Sequence, residues 1–107
     1  MTKDEIIVLI TASSGDEAVK IATALVNEHL VACVNIVPEV RSLFFWEGRT
    51  QDTHEVLLVC KGRMQCIEKL IIRVKELHSY TVPEIIALPI IAGSREYLDW
   101  IRETVKT

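Results

Sequence analysis

The sequence predicts one α+β domain, a four-stranded antiparallel sheet with its helices packed on one face. The strand-like segment Glu5-Ile6-Ile7-Val8-Leu9-Ile10 returns in pattern as Glu55-Val56-Leu57-Leu58-Val59-Cys60. Each copy is followed by an amphipathic helical stretch and then by another extended one. The 107 residues suffice for one hydrophobic core and not for two, so 1–107 is read as a single domain.

The first strand, Ile6 to Ile10, is a continuous aliphatic run, as a central strand requires. Thr11-Ala12-Ser13-Ser14-Gly15 closes it, and Ser14 with Glu17 has the spacing of a capping box. Ala18, Ile21, Ala22, Leu25 and Val26 then mark the buried stripe of a helix over 15–29. Ala32 to Trp46 is extended and interrupted by Pro38, which cannot donate to a ladder and marks an edge, a bulge or a bend. At about 3.3 Å per residue this arm reaches roughly 45 Å, farther than so small a domain can cover, so its end needs a partner. Glu47 to Asp52 supplies the turn and Glu55 to Cys60 the third strand.

A second helix is predicted from Arg63 to Leu77, with Met64, Ile67, Leu70, Ile71, Val74 and Leu77 inward. The loop His78 to Pro83 leads to a fourth strand over Glu84 to Ile91, broken late by Pro89. Gly93 and Ser94 open a last helix whose Tyr97, Leu98, Ile101 and Val105 share a face. The order β-α-β-β-α-β, then α, with right-handed crossovers, is the split β-α-β or ferredoxin-like sandwich. Helices on one face leave the other apolar face to be covered, which points to further copies of the chain.

Half of the residues are hydrophobic, a large share for a globule of this size, and some of that surface is expected between subunits. A net charge of −3 without a Lys/Arg block gives no footprint for nucleic acid. The longest apolar run, Ile85 to Ala92, falls far short of a bilayer span, and the first residues lack the pattern of a signal peptide. A soluble, cytoplasmic protein with no membrane partner is expected. Cys33, Cys60 and Cys66 are odd in number with no C-x-x-C pair, and are read as reduced packing thiols.

This layout hosts many activities, so function must come from sites. An RNA-recognition domain needs aromatics on its central strands, and the strands from Ile6 and Val56 carry none. A soft-metal chaperone needs thiols in the first loop, and an acylphosphatase-like enzyme needs an Arg there; Thr11 to Gly15 has neither. No nucleophile, base and orienting group are set by spacing, so no enzyme is expected. His29, at a helix end, and His54, in the hairpin, read as surface groups. His78 precedes Glu84 by one loop, and the two are candidate metal ligands.

Four segments carry a resemblance: Ala32-Cys33-Val34-Asn35-Ile36-Val37-Pro38, Ser42-Leu43-Phe44-Phe45-Trp46-Glu47-Gly48, His78-Ser79-Tyr80-Thr81-Val82-Pro83-Glu84-Ile85, and Gly93 with Tyr97-Leu98-Asp99-Trp100-Ile101. In order and spacing, over Ile6 to Ile101, they resemble the CutA divalent-cation-tolerance family. The resemblance implies a homotrimer tied to tolerance of copper and other divalent metals, with copper(II) or a similar ion as candidate ligand. It also implies a copper constellation of a Cys and two adjacent His. Here those positions hold Ile10, Leu77 and His78, so only one is filled. A pocket between subunits is implied as well, with Trp46, Glu47, Lys61, Tyr80, Glu84 and Tyr97 as candidates. Such a pocket also looks like that of the trimeric PII nitrogen-signalling family, which makes a metal-free small-molecule sensor or scaffold the alternative. The short turn after Trp46 argues against a PII-like nucleotide loop.

Overall fold

Four strands, β1 (Glu5–Ala12), β2 (Val31–Trp46), β3 (Arg49–Arg63) and β4 (Ile85–Pro89), make one antiparallel sheet in the order β2-β3-β1-β4. The computed structural model describes residues 4–106, so Met1–Lys3 and Thr107 of the expected domain lie outside the described residues. Helices α1 (Gly15–Asn27), α2 (Ile67–Leu77) and α3 (Arg95–Thr104) complete the predicted α+β order.

The core lies between the sheet and its helices. Val8, Ile10, Leu58 and Cys60 meet Ile21 and Leu25 of α1, Leu70 and Val74 of α2, and Ile101 of α3, all essentially without solvent contact. Burial of each large aliphatic side chain contributes about 1.5–3 kcal/mol. These are inward positions of the sequence stripes, whereas Val26 and Met64, also expected inward, are exposed, Met64 because it lies in the 3-10 turn before α2. Ser14 caps α1 as expected: its Oγ accepts the Glu17 N–H at 3.1 Å while Glu17 Oε1 accepts the Ser13 N–H at 2.9 Å.

Several boundaries differ from expectation for physical reasons. The first helix stops at Asn27 because His29 adopts the left-handed conformation, φ 60°, and turns the chain. The second begins at Ile67 because β3 continues to Arg63, where its guanidinium pairs with Asp4 at 3.1 Å, and a 3-10 turn, Met64–Cys66, intervenes. The fourth strand ends at Pro89, which has no N–H to extend the ladder. The turn is not Glu47 to Asp52 but Glu47-Gly48 alone, both at positive φ (51° and 80°), as a primed two-residue hairpin demands. Pairing therefore runs out to Trp46 and Arg49, and the molecule extends 46 Å along its long axis against 25 and 23 Å across it.

Pro38 sits at a bulge. Val37 pairs with Leu57 and Val40 with Glu55, so β2 carries one residue more than β3 there. The slip exchanges the faces of β2: before it, odd-numbered residues share the helix-free face, and beyond it even-numbered ones do. Ser42, Phe44 and Trp46 thus join Thr53, Gln51 and Arg49 on the open face of the arm. Nearer the body that face presents Ile7, Leu9, Leu57, Val59, Val37, Ile86 and Leu88, with Ile86 and Leu88 about half exposed at 51% and 48%.

Candidate functional site

Where the arm leaves the sheet, the 78–84 loop rises against its open face, and the side chains that fix this loop define the site. His78 follows α2 with its side chain fully buried. Its Nε2 lies 2.7 Å from the Thr11 carbonyl, and its Nδ1 accepts the Tyr80 N–H at 3.0 Å. Accepting at Nδ1 assigns the proton to Nε2, which donates to Thr11. Glu17 adds a second tether, its Oε2 accepting the Ser79 N–H at 2.8 Å. Burial raises the Glu17 pKa, but hydrogen bonds from Ser13 and Ser79 outweigh it and hold the carboxyl below the usual range. One carboxylate thus caps α1 and anchors the loop after α2.

The clamp aims Tyr80 at the arm. Its hydroxyl donates to Glu55 Oε2 at 2.9 Å, and Glu55 is only 7% exposed. Burial first, and then this carboxylate, push the phenol up to about 12. Thr11, Phe44, Trp46, Glu55, Tyr80 and Glu84 are among the walls of a cavity of ≈ 810 Å³ between arm and loop. Arg41 also lines it, with its guanidinium on both oxygens of Asp52 at 2.9 and 2.6 Å. The site combines aromatic rings, hydroxyls and two carboxylates.

The predicted pocket residues fall into two groups within one chain. Trp46, Tyr80 and Glu84 line the cavity, whereas Glu47 forms the hairpin turn. Lys61 lies elsewhere on the open face, where its Nζ contacts Asn35 Oδ1 and lies 3.9 Å from Cys33 Sγ, and Tyr97 stands on α3. Tyr97 stacks at a tilt on Trp100, ring centroids 5.4 Å apart. Of the metal candidates, Glu84 reaches the cavity, while His78 has both nitrogens on main-chain partners. Among the described residues no three His, Cys, Asp or Glu side chains are grouped as a metal centre needs. The copper constellation does not fit this chain, since Ile10 is sealed in the core and Leu77 packs against it.

Sequence reasoning placed Glu17 in the capping box but missed its tether to the 78–84 loop, and missed Glu55 as a site residue. The signal for Glu55 was in the internal repeat, whose first letter in each copy is a glutamate. Both are buried: Glu5, 2% exposed, pairs with Arg102 at 3.1 Å, and Glu55 bonds to Tyr80.

Comparison with known proteins gives one consistent result. The sequence profile described as CutA1 divalent ion tolerance protein matches residues 6–104. The "Divalent-cation tolerance protein CutA" of Thermus thermophilus is 54% identical over 99 residues, covering 92% of this chain and 96% of that one. "Protein CutA, chloroplastic" of Arabidopsis thaliana is 42% identical over 105 residues, which are 98% of this chain but 58% of the plant protein. The solved structure of the Thermus thermophilus divalent cation tolerance protein superposes with a TM-score of 0.94 at 53% identity, covering 95% of this chain and 99% of that one.

Proposed function

We propose a role that starts from one established fact: the chain belongs to the CutA1 divalent ion tolerance family. In this role it is a homotrimeric binding protein in the response to divalent cations, copper among them, rather than an enzyme. The observation that carries the reading is the open sheet face. Ile7, Leu9, Leu57, Val59, Ile86 and Leu88 form an apolar surface that continues onto an arm with Phe45 73% and Phe44 41% exposed. Water-exposed apolar area of this extent fits coverage by other copies, and the family resemblance supplies the number three. The groups available to a divalent cation are the carboxylates Glu55 and Glu84, with His78 held to the main chain. Cytoplasmic action belongs to the proposal, supported by three free cysteines. None of the helices, among the described residues, is long and apolar enough to cross a membrane.

The experiment is complementation. Cells lacking the protein are grown on graded copper(II) and given wild type or Leu57→Asp, which places a charge on the open face. Rescue by wild type alone is expected. Equal rescue by both would separate tolerance from assembly and overturn the reading.

A second reading is favoured by the aromatic walls of the cavity. A trimer of this kind resembles a PII-like sensor, with an organic ligand rather than a metal in the cavity and the assembly read by other proteins.

A further inference from the structure

The helix layer carries a groove on the side of the molecule opposite the open sheet face. On α2, Lys69, Ile72, Arg73 and Glu76 recur at the three- and four-residue spacing that lines one side of a helix, turned from the core positions Leu70 and Val74. Glu28 and Leu30 beyond α1, and Lys106 beyond α3, form the other wall and enclose ≈ 300 Å³. None of these residues lies in a strand or in the arm, so a trimer built through the open face leaves the groove as it is in one chain.

The carboxylates of this groove are already engaged. Arg73 donates from Nε to both oxygens of Glu28 at 3.0 Å and from Nη1 to Glu76 Oε1 at 3.2 Å. Lys69 and Lys106 have no carboxylate within ion-pair reach among the described residues. The groove is therefore net positive, on a chain whose formal charge is −3. It is also partly apolar: Leu30 backs it at 7% exposed, and Ile72 stands out at 61%. An aliphatic side chain so exposed, amid Glu68, Lys69, Arg73, Lys75 and Glu76, adds little to the core. Two flexible lysines set no fixed geometry for a small anion, and the volume is at the lower limit of small-molecule sites. A protein segment uses both features, an apolar anchor in the groove and carboxylates toward the lysines.

We infer that this groove docks an acidic segment of a partner protein, with one aliphatic or aromatic side chain against Leu30 and Ile72 and flanking carboxylates on Lys69 and Lys106. The inference rests on neither reading above. A metal-responsive trimer and a ligand sensor would both present the groove outward, once per copy, so that a partner with several such segments gains by engaging more than one.

Fluorescence anisotropy with the full chain and three labelled peptides tests this. Glu-Asp-Phe-Leu-Glu-Asp is expected to bind at least tenfold more tightly than Lys-Lys-Phe-Leu-Lys-Lys, which keeps the anchor and reverses the charge. The same margin is expected over Glu-Asp-Ser-Ser-Glu-Asp, which keeps the charge and lacks the anchor. Lys69→Glu and Ile72→Ser are each expected to weaken the first peptide tenfold or more, with melting and sedimentation unchanged. Lys75→Glu makes the same charge change on α2 outside the groove and should leave binding intact. Equal binding of the three peptides, or equal weakening by Lys69→Glu and Lys75→Glu, would overturn the site. Binding of none of them by folded protein would overturn it too. Lys69-dependent binding of phosphatidylserine vesicles, with no peptide bound, would assign the groove to a membrane surface instead.

Discussion

His78 Nε2 lies 2.7 Å from the carbonyl oxygen of Thr11 and joins the end of α2 to the end of β1. With the Tyr80 N–H on Nδ1 at 3.0 Å, the imidazole spends both nitrogens inside the chain. The residue that looks most like a ligand in the sequence therefore acts as a clamp. Its effect on the cavity passes through Tyr80.

Replacing His78 with alanine strands the Thr11 carbonyl and the Tyr80 N–H and leaves a void. A loss of about 2–4 kcal/mol is expected, combining unsatisfied polar groups with the missing ring. Chemical denaturation measures it. A loss below about 0.5 kcal/mol would show that the clamp carries little stability.

Glu17 predicts a pH dependence. Its folded-state pKa lies below the ordinary value, so its stabilisation is present above that ordinary value and is lost as pH falls through the folded-state value. Glu17→Gln should therefore be less stable than wild type at pH 7, by about 1–2 kcal/mol for hydrogen bonds to a charged acceptor. The difference should vanish in strong acid. Melting curves between pH 7 and pH 2 read it, and a gap that persists at the acid end would contradict the assignment.

Much of this fold was legible because its signals are local. The aliphatic runs, the helix stripes and the Ser14–Glu17 capping box each lie within a few residues of one another. The placement of Trp46 was harder to read. Its face is decided by the slip at Pro38, and proline signals a disturbance without saying how many residues oppose how many. Glu55 and Glu17 were hidden for a similar reason. Their partners, Tyr80 and Ser79, lie far along the chain, and the same letters on a solvated surface mean nothing.

The hairpin turn holds a correctable cost. Glu47 sits at φ 51°, where a side chain with Cβ is disfavoured and asparagine is better tolerated. Glu47→Asn should stabilise the chain by about 0.5 kcal/mol, and Gly48→Ala, at φ 80°, should cost about 1 kcal/mol. Paired melts of the two variants test both signs.

Cys60 is sealed in the core, and burial pushes its thiol up to about 12. Iodoacetamide at pH 8 should leave it unlabelled in native protein and label it after denaturation. The same shift means that its contribution to stability is whole below the ordinary thiol value and is lost as pH rises toward the folded-state one. Rapid native labelling of Cys60 would show that the core opens.

The open face and the arm make the strongest demand on the surroundings. Ile86 and Leu88 on one, and Phe44 and Phe45 on the other, are exposed apolar groups in a single chain, with Leu57 half-buried among the former. Sedimentation equilibrium at micromolar concentration tests whether copies of the chain cover them. Three times the 12.1 kDa mass of the chain is expected for wild type, and a shift toward the monomer for Leu57→Asp. A wild-type chain that sediments as a stable monomer would contradict it.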